Sequence, residues 1–93
     1  MAVAIEEADI IIFLVDVLDG VTTVDKELAE VFRRSGKRLL LVANKADNEK
    51  RCYEAAQFYE LVLGDPLPIS AYHGLGIAEL LDGVVESLSL IHI

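Results

Sequence analysis

Short, unbroken apolar runs separated by helical spacing dominate this chain. Ile10 to Val15 is continuously apolar and rich in β-branched residues, without alternation, which fits a strand covered on both faces. Leu39 to Ala43 repeats the pattern, and Leu67-Pro68-Ile69 is a shorter third strand, where Pro66 and Pro68 suggest a sheet edge. Between the first two, Thr22-x-x-Asp25 reads as a capping box with Asp in the Glu position. The helix behind it sets Val24, Leu28, Val31 and Phe32 on one face, and Gly36 stands where it should stop. Asn48 can cap a helix on which Cys52, Ala55, Ala56 and Tyr59 share a face. Ile77, Leu80, Leu81, Val84, Val85 and Leu88 follow the spacing i, i+3, i+4, i+7, i+8, i+11 and make the clearest helix. Residues Ala2 to Ala8 read as the tail of a helix, and residues 89–93 carry no structural signal and are expected as an unstructured tail.

Strand and helix alternate three times, which favours βαβ units with right-handed crossovers. The expected fold class is α/β: three layers, a parallel sheet of about three strands and flanking helices, in one domain over residues 1–88. At 93 residues such a domain buries roughly 60–65% of its unfolded surface, so the core is modest.

Composition narrows the function classes. A net charge of −8 argues against a surface that tracks nucleic-acid phosphates. The one cysteine, Cys52, excludes an internal disulfide and points to a reducing, cytoplasmic compartment. With two histidines no zinc-ligand spacing exists, and no apolar run is long enough to span a bilayer, so no membrane partner is expected.

The candidate chemistry lies where strands end. Ligands of open α/β sheets bind outside the carboxyl ends of their strands. Asn44-Lys45-Ala46-Asp47 follows the second strand directly, and Ser70-Ala71 follows the third. Guanine presents two adjacent donors, its ring N–H and its exocyclic amine, and a fixed Asp47 carboxylate can accept both. Adenine offers no such pair and would leave the carboxylate desolvated and unpaired, which is how large discrimination arises. Asn44 can brace the loop through its amide, and Lys45 can lay its aliphatic stem along the base while its ammonium reaches solvent. The plainer reading is a polar turn after a strand; the apolar strand before it and Ser70-Ala71 beyond it favour the base pocket.

Other features weigh less. Asp16 after an apolar run has the look of a Mg²⁺-holding Asp, but no Gly-x-x-x-x-Gly-Lys-Ser/Thr loop accompanies it, so a loop-stabilising carboxylate is the better reading. Gly74-Leu75-Gly76 frames the start of the last helix, and His73 lacks an acidic or Ser partner at a fixed spacing and reads as an exposed loop residue.

The chain resembles the bacterial Der (EngA) GTPases, and in particular the C-terminal part of their first G domain. The resemblance runs from Ala4 to Leu88. It is carried by Glu6-Glu7-Ala8-Asp9, Asp19-Gly-Val-Thr22 with Asp25, Arg34-Ser35-Gly36-Lys37 and Asn44-Lys45-Ala46-Asp47. It continues through Leu63-Gly64-Asp65-Pro66 and Ile69-Ser70-Ala71 with Gly74-x-Gly76-Ile77 and Leu80-Leu81. It implies that Asn44, Lys45 and Asp47, with Ala46 as spacer, are the guanine-specificity motif. It also implies that the backbone N–H after Ser70, at Ala71, donates to the guanine oxygen. It implies GTP or GDP as ligand and, in the parent, GTP hydrolysis with Mg²⁺ and contact with the large ribosomal subunit during its assembly. The phosphate loop and both switches would lie before Met1, so this segment alone is expected to read the base without hydrolysing GTP. The strand that pairs with Ile10 to Val15 in such a fold would also be missing, which predicts an open edge there and self-association through it. Two other readings fit the residues: an acidic α/β docking or regulatory module that binds no nucleotide, and a receiver-like domain with Asp16 as phosphoacceptor. Glu6-Glu7 read as helical rather than as a strand-end acidic pair, which disfavours the second.

Overall fold

A computed structural model describes the backbone of residues 3–7 and 10–91 and the side chains of residues 10–86. The elements run β1 (Val3–Glu7), β2 (Ile10–Asp16), α1 (Thr23–Ser35), β3 (Arg38–Asn44), α2 (Glu49–Glu54) continued by a 3₁₀ segment (Ala55–Leu61), β4 (Leu67–Pro68) and α3 (Ile77–Ile91). The sheet order is β1-β2-β3-β4. The β2–β3 and β3–β4 pairs are parallel, so the expected α/β fold with three parallel strands is what forms.

The N-terminus differs from the expected helix tail. Val3–Glu7 is a strand, antiparallel to β2, in register Val3↔Leu14 through Glu7↔Ile10. An unpaired β2 would leave a row of N–H and C=O groups open, and tertiary pairing of this kind overrides weak local helix preference. Val3 and Ile5 alternate with Ala4 and Glu6 in the sequence, which suits an edge strand as well as it suits a helix end. The predicted open edge on Ile10 to Val15 is therefore closed, and the free edges of the sheet belong to β1 and β4. Met1, Ala2, Ala8 and Asp9 lie outside the described residues. So do His92 and Ile93 of the expected tail, while residues 89–91 continue α3 as helix rather than ending it.

One face of the sheet carries the core. Ile11, Phe13, Val15, Leu41 and Ala43 pack with Ala29 and Phe32 of α1 and with Ala55, Phe58 and Leu61 of the 3₁₀ segment. Phe13 and Phe32 meet edge to face, with centroids 5.1 Å apart at 76°, a favoured aromatic geometry. On the opposite face, Gly83 of α3 stands over Leu40.

Two helices bury faces other than the expected ones. In α1 the Thr22–Asp25 capping box forms reciprocally, with Asp25 N–H donating to Thr22 Oγ1 and Thr22 N–H to Asp25 Oδ2, both at 3.1 Å. Asp25, Ala29 and Phe32 are buried, Leu28 is half-buried, and Val24 and Val31 are exposed. Apolar spacing alone does not choose between adjacent stripes when Val24 and Val31 flank the one that docks. After α2 the chain tightens to three residues per turn. Ala55, Phe58 and Leu61 then fall on one line and become the buried face, leaving Cys52, Ala56 and Tyr59 exposed.

Candidate site at the strand ends

The carboxyl ends of β2, β3 and β4 lie side by side, and the sequence-predicted residues gather there. Asp16 and Asn44 are register partners at the ends of β2 and β3. Val17 N–H donates to the Asn44 carbonyl at 3.0 Å, carrying the parallel ladder one residue beyond the strand. On the other side, Ile69 N–H donates to Ala43 C=O and Ala46 N–H to Ile69 C=O, both at 2.8 Å. This lacing fixes the Asn44–Asp47 turn against the segment that leads into Ser70.

The turn needs a sharp reversal directly after a buried strand. Lys45 makes it with φ of 68°, in the left-handed region that side chains other than glycine rarely occupy. Ala46 is buried beneath it at 1% exposure, so the spacer position has room for little more than a methyl. Asn48 then caps α2, its Oδ1 accepting from Arg51 N–H at 3.0 Å.

Asn44 and Asp47 each bond to the Ser70–Ala71 segment. Asn44 Oδ1 accepts from Ala71 N–H at 3.1 Å. Asp47 Oδ1 accepts from the Ser70 hydroxyl at 2.5 Å. Ser70 is fully buried, whereas Asp47 and Ala71 are exposed, so the carboxylate is anchored from beneath and accessible from outside. The Ser70 hydroxyl oxygen also accepts from His73 N–H at 3.3 Å. Ser70 and Leu75 exchange two backbone hydrogen bonds, at 2.9 and 3.0 Å, which close the loop between them. The next residue must be glycine. Gly76 has φ of 75°, and a Cβ there would stand 2.6 Å from the Pro68 carbonyl oxygen. His73 is exposed, edge to face with Tyr72 at 4.9 Å.

One partner went unread in the sequence. Asp16 is nearly buried, and its Oδ2 lies 2.6 Å from Lys45 Nζ while its Oδ1 accepts from Leu18 N–H at 2.8 Å. Burial is the largest single influence on this carboxyl and pushes its pKa up. The hydrogen bonds from Lys45 and Leu18 and the lysine charge together outweigh it, leaving the pKa below the ordinary carboxylate value. The same hydrogen bond, with the Asp16 charge, raises the Lys45 pKa. The ammonium, expected in solvent, is thus tied to Asp16. The available signal was positional: Asp16 and Asn44 end adjacent parallel apolar strands, so Lys45 follows the neighbour of a carboxylate.

Chemically, the site offers an accessible, fixed carboxylate, a brace amide, a backbone N–H on an exposed loop and a lysine stem. Among the described residues no group of three or more His, Cys, Asp or Glu side chains is placed to hold a metal ion. None of their helices is long and apolar enough to cross a membrane. A separate open depression is lined by Val17, Leu18, Gly20, Arg51, Tyr53 and Gln57 and includes none of the residues from Asn44 to Asp47.

Comparison with known proteins identifies relatives over most of the chain. The elongation factor Tu GTP-binding domain family matches residues 1–89. GTPase Der of Thermomicrobium roseum is 56% identical over 85 residues, covering 91% of this chain and 18% of that protein. GTPase Der of Herpetosiphon aurantiacus is 52% identical over 91% of the chain and 19% of its own length. GTPase Der of Phocaeicola vulgatus is 52% identical over 96% of the chain and 20% of its own length. The chain spans about a fifth of the length of these relatives. It belongs to the family of GTP-binding domains that includes that of elongation factor Tu, and its sequence is that of a Der-type G-domain segment.

Proposed function

We propose that this chain supplies the guanine-reading wall of a GTP-binding domain, with Asn44, Lys45, Ala46, Asp47, Ser70 and Ala71 as the base site. The observation that carries the reading is the Asp47–Ser70 hydrogen bond, which aims one exposed carboxylate from a buried anchor. A carboxylate oxygen has lone pairs for more than one donor, so Asp47 can keep Ser70 and still accept from the guanine ring N–H and exocyclic amine. Ala71 N–H is held by Asn44 Oδ1 in the free chain. The guanine carbonyl takes that donor by displacing one acceptor with another, and the Asn44 amide turns toward the base.

The parent protein is a GTP hydrolase in this reading. The residues assigned here contact the base rather than phosphate or Mg²⁺, and the resemblance to Der extends the role to assembly of the large ribosomal subunit. The segment itself binds without catalysis. A base site with two or three good hydrogen bonds gives a Kd of about 1 mM or weaker, on the order of −4 kcal/mol.

Titration of the chain with GDP and with ADP, followed by amide chemical shifts, tests the reading. GDP is expected to move Asn44 to Asp47 and Ser70 to Ala71, with the Ala71 amide moving most, and ADP to move them far less. Equal shifts with both nucleotides contradict base reading, and no shift at all favours an acidic docking module instead.

A further inference from the structure

The Asp16–Lys45 pair does more than a polar turn requires. Asp16 closes β2 with its side chain 10% exposed, and it is clamped by Leu18 N–H on one oxygen and Lys45 on the other. Lys45 starts from the end of β3 in a left-handed backbone conformation. Its backbone is fixed by the flanking ladder bonds of Asn44 and Ala46. The lysine is thus held at both ends, and its stem spans the gap between the carboxyl ends of two adjacent strands. An untethered lysine samples many rotamers, and ordering it when a ligand lands weakens binding. A pair with one nearly buried partner is screened less than two surface charges.

We propose that Asp16 is a positioning residue for base recognition: it holds the Lys45 ammonium so that the aliphatic stem forms a fixed apolar floor for the flat face of a purine whose edge Asp47 reads. This role rests on the guanine reading above. Asp16 touches no base and acts through Lys45, so it sets affinity for the purine ring while Asp47 sets which purine.

The variants Asp16→Asn, Lys45→Met and the double variant of the chain test it, with amide-shift titrations of GDP and ADP. Asp16→Asn keeps an oxygen for Leu18 N–H and so preserves the β2 end, while Lys45→Met probes the pair from an exposed position. Each single variant is expected to weaken GDP binding roughly three- to tenfold, and the double variant no further than either. The second readout needs no nucleotide: the Lys45 Cε methylene protons should be inequivalent in the parent chain and averaged in Asp16→Asn. Additive losses in the double variant, or unchanged Lys45 signals in Asp16→Asn, overturn the role of Asp16 while GDP selectivity, if present, leaves base reading intact. Equal response to GDP and ADP in the parent chain overturns both.

Discussion

Asp47 Oδ1 and the Ser70 hydroxyl, 23 positions apart in sequence, meet at 2.5 Å across the ends of β3 and β4. One partner is exposed and the other has no solvent contact. The bond therefore transmits the rigidity of the sheet to an acceptor at the surface. Ser70→Ala removes the tether and leaves His73 N–H without its acceptor. Loss of about 1–2 kcal/mol in stability is expected, together with weaker discrimination between GDP and ADP. Urea denaturation and the same titrations check it; a full loss of stability with unchanged discrimination would show that the bond serves the fold alone.

Gly76→Ala tests the loop that carries Ser70. The new Cβ would meet the Pro68 carbonyl oxygen at 2.6 Å in a backbone already at φ of 75°. Destabilisation of about 1–3 kcal/mol is expected, with amide shifts spreading from Ser70 to Leu75. Gly36→Ala, where nothing lies within 4 Å of the added Cβ, meets only the φ penalty and should cost less.

Substitutions along α1 discriminate its docked stripe from the flanking one. Phe32 packs edge to face on Phe13, so Phe32→Ala should cost about 3–5 kcal/mol. Val31→Ala, at 61% exposure, should stay within about 0.5 kcal/mol. Comparable losses at the two positions in thermal or urea denaturation would place α1 in the rotated register.

The pH response of stability follows from the Asp16–Lys45 pair. Asp16 titrates below its ordinary value of 3.8 in the folded chain, so it contributes stability above that value and loses it as pH falls through the folded pKa. Lys45 titrates above its ordinary value of 10.5, so its contribution is full below that value and fades as pH rises through the folded pKa. Asp16→Asn should flatten the acid limb below pH 3.8 relative to the parent chain in urea midpoints measured across pH. An unchanged acid limb would show that the pair does not couple to folding.

Much of this was legible in the sequence because it depended on local pattern. Continuous apolar runs marked β2 and β3, Thr22 and Asp25 marked the start of α1, and the position of Asn44 to Asp47 at a strand end marked the candidate site. What escaped depended on what lay alongside. Val3 to Glu7 became a strand because β2 needed a partner, a fact about the sheet rather than the segment. The buried face after Ala55 changed because a 3₁₀ turn replaced an α turn, moving burial from Cys52 and Tyr59 to Phe58 and Leu61. The Asp16–Lys45 pair was hidden because it joins two strand ends brought together by parallel register, 29 positions apart by their numbers.

Asp47→Asn is the sharpest probe of base reading. The variant keeps an Oδ1 acceptor for Ser70, so the loop stands, but it replaces an accepting oxygen with an amide N–H donor at the second position. Xanthine has a carbonyl where guanine has its amine and so needs that donor. Amide-shift titrations of the parent chain and of Asp47→Asn with guanosine and xanthosine diphosphates read the preference directly. The parent chain should prefer the guanine nucleotide and the variant should turn toward xanthine. A variant that keeps its guanine preference would contradict it, because Asp47 would then not be the group that reads the base.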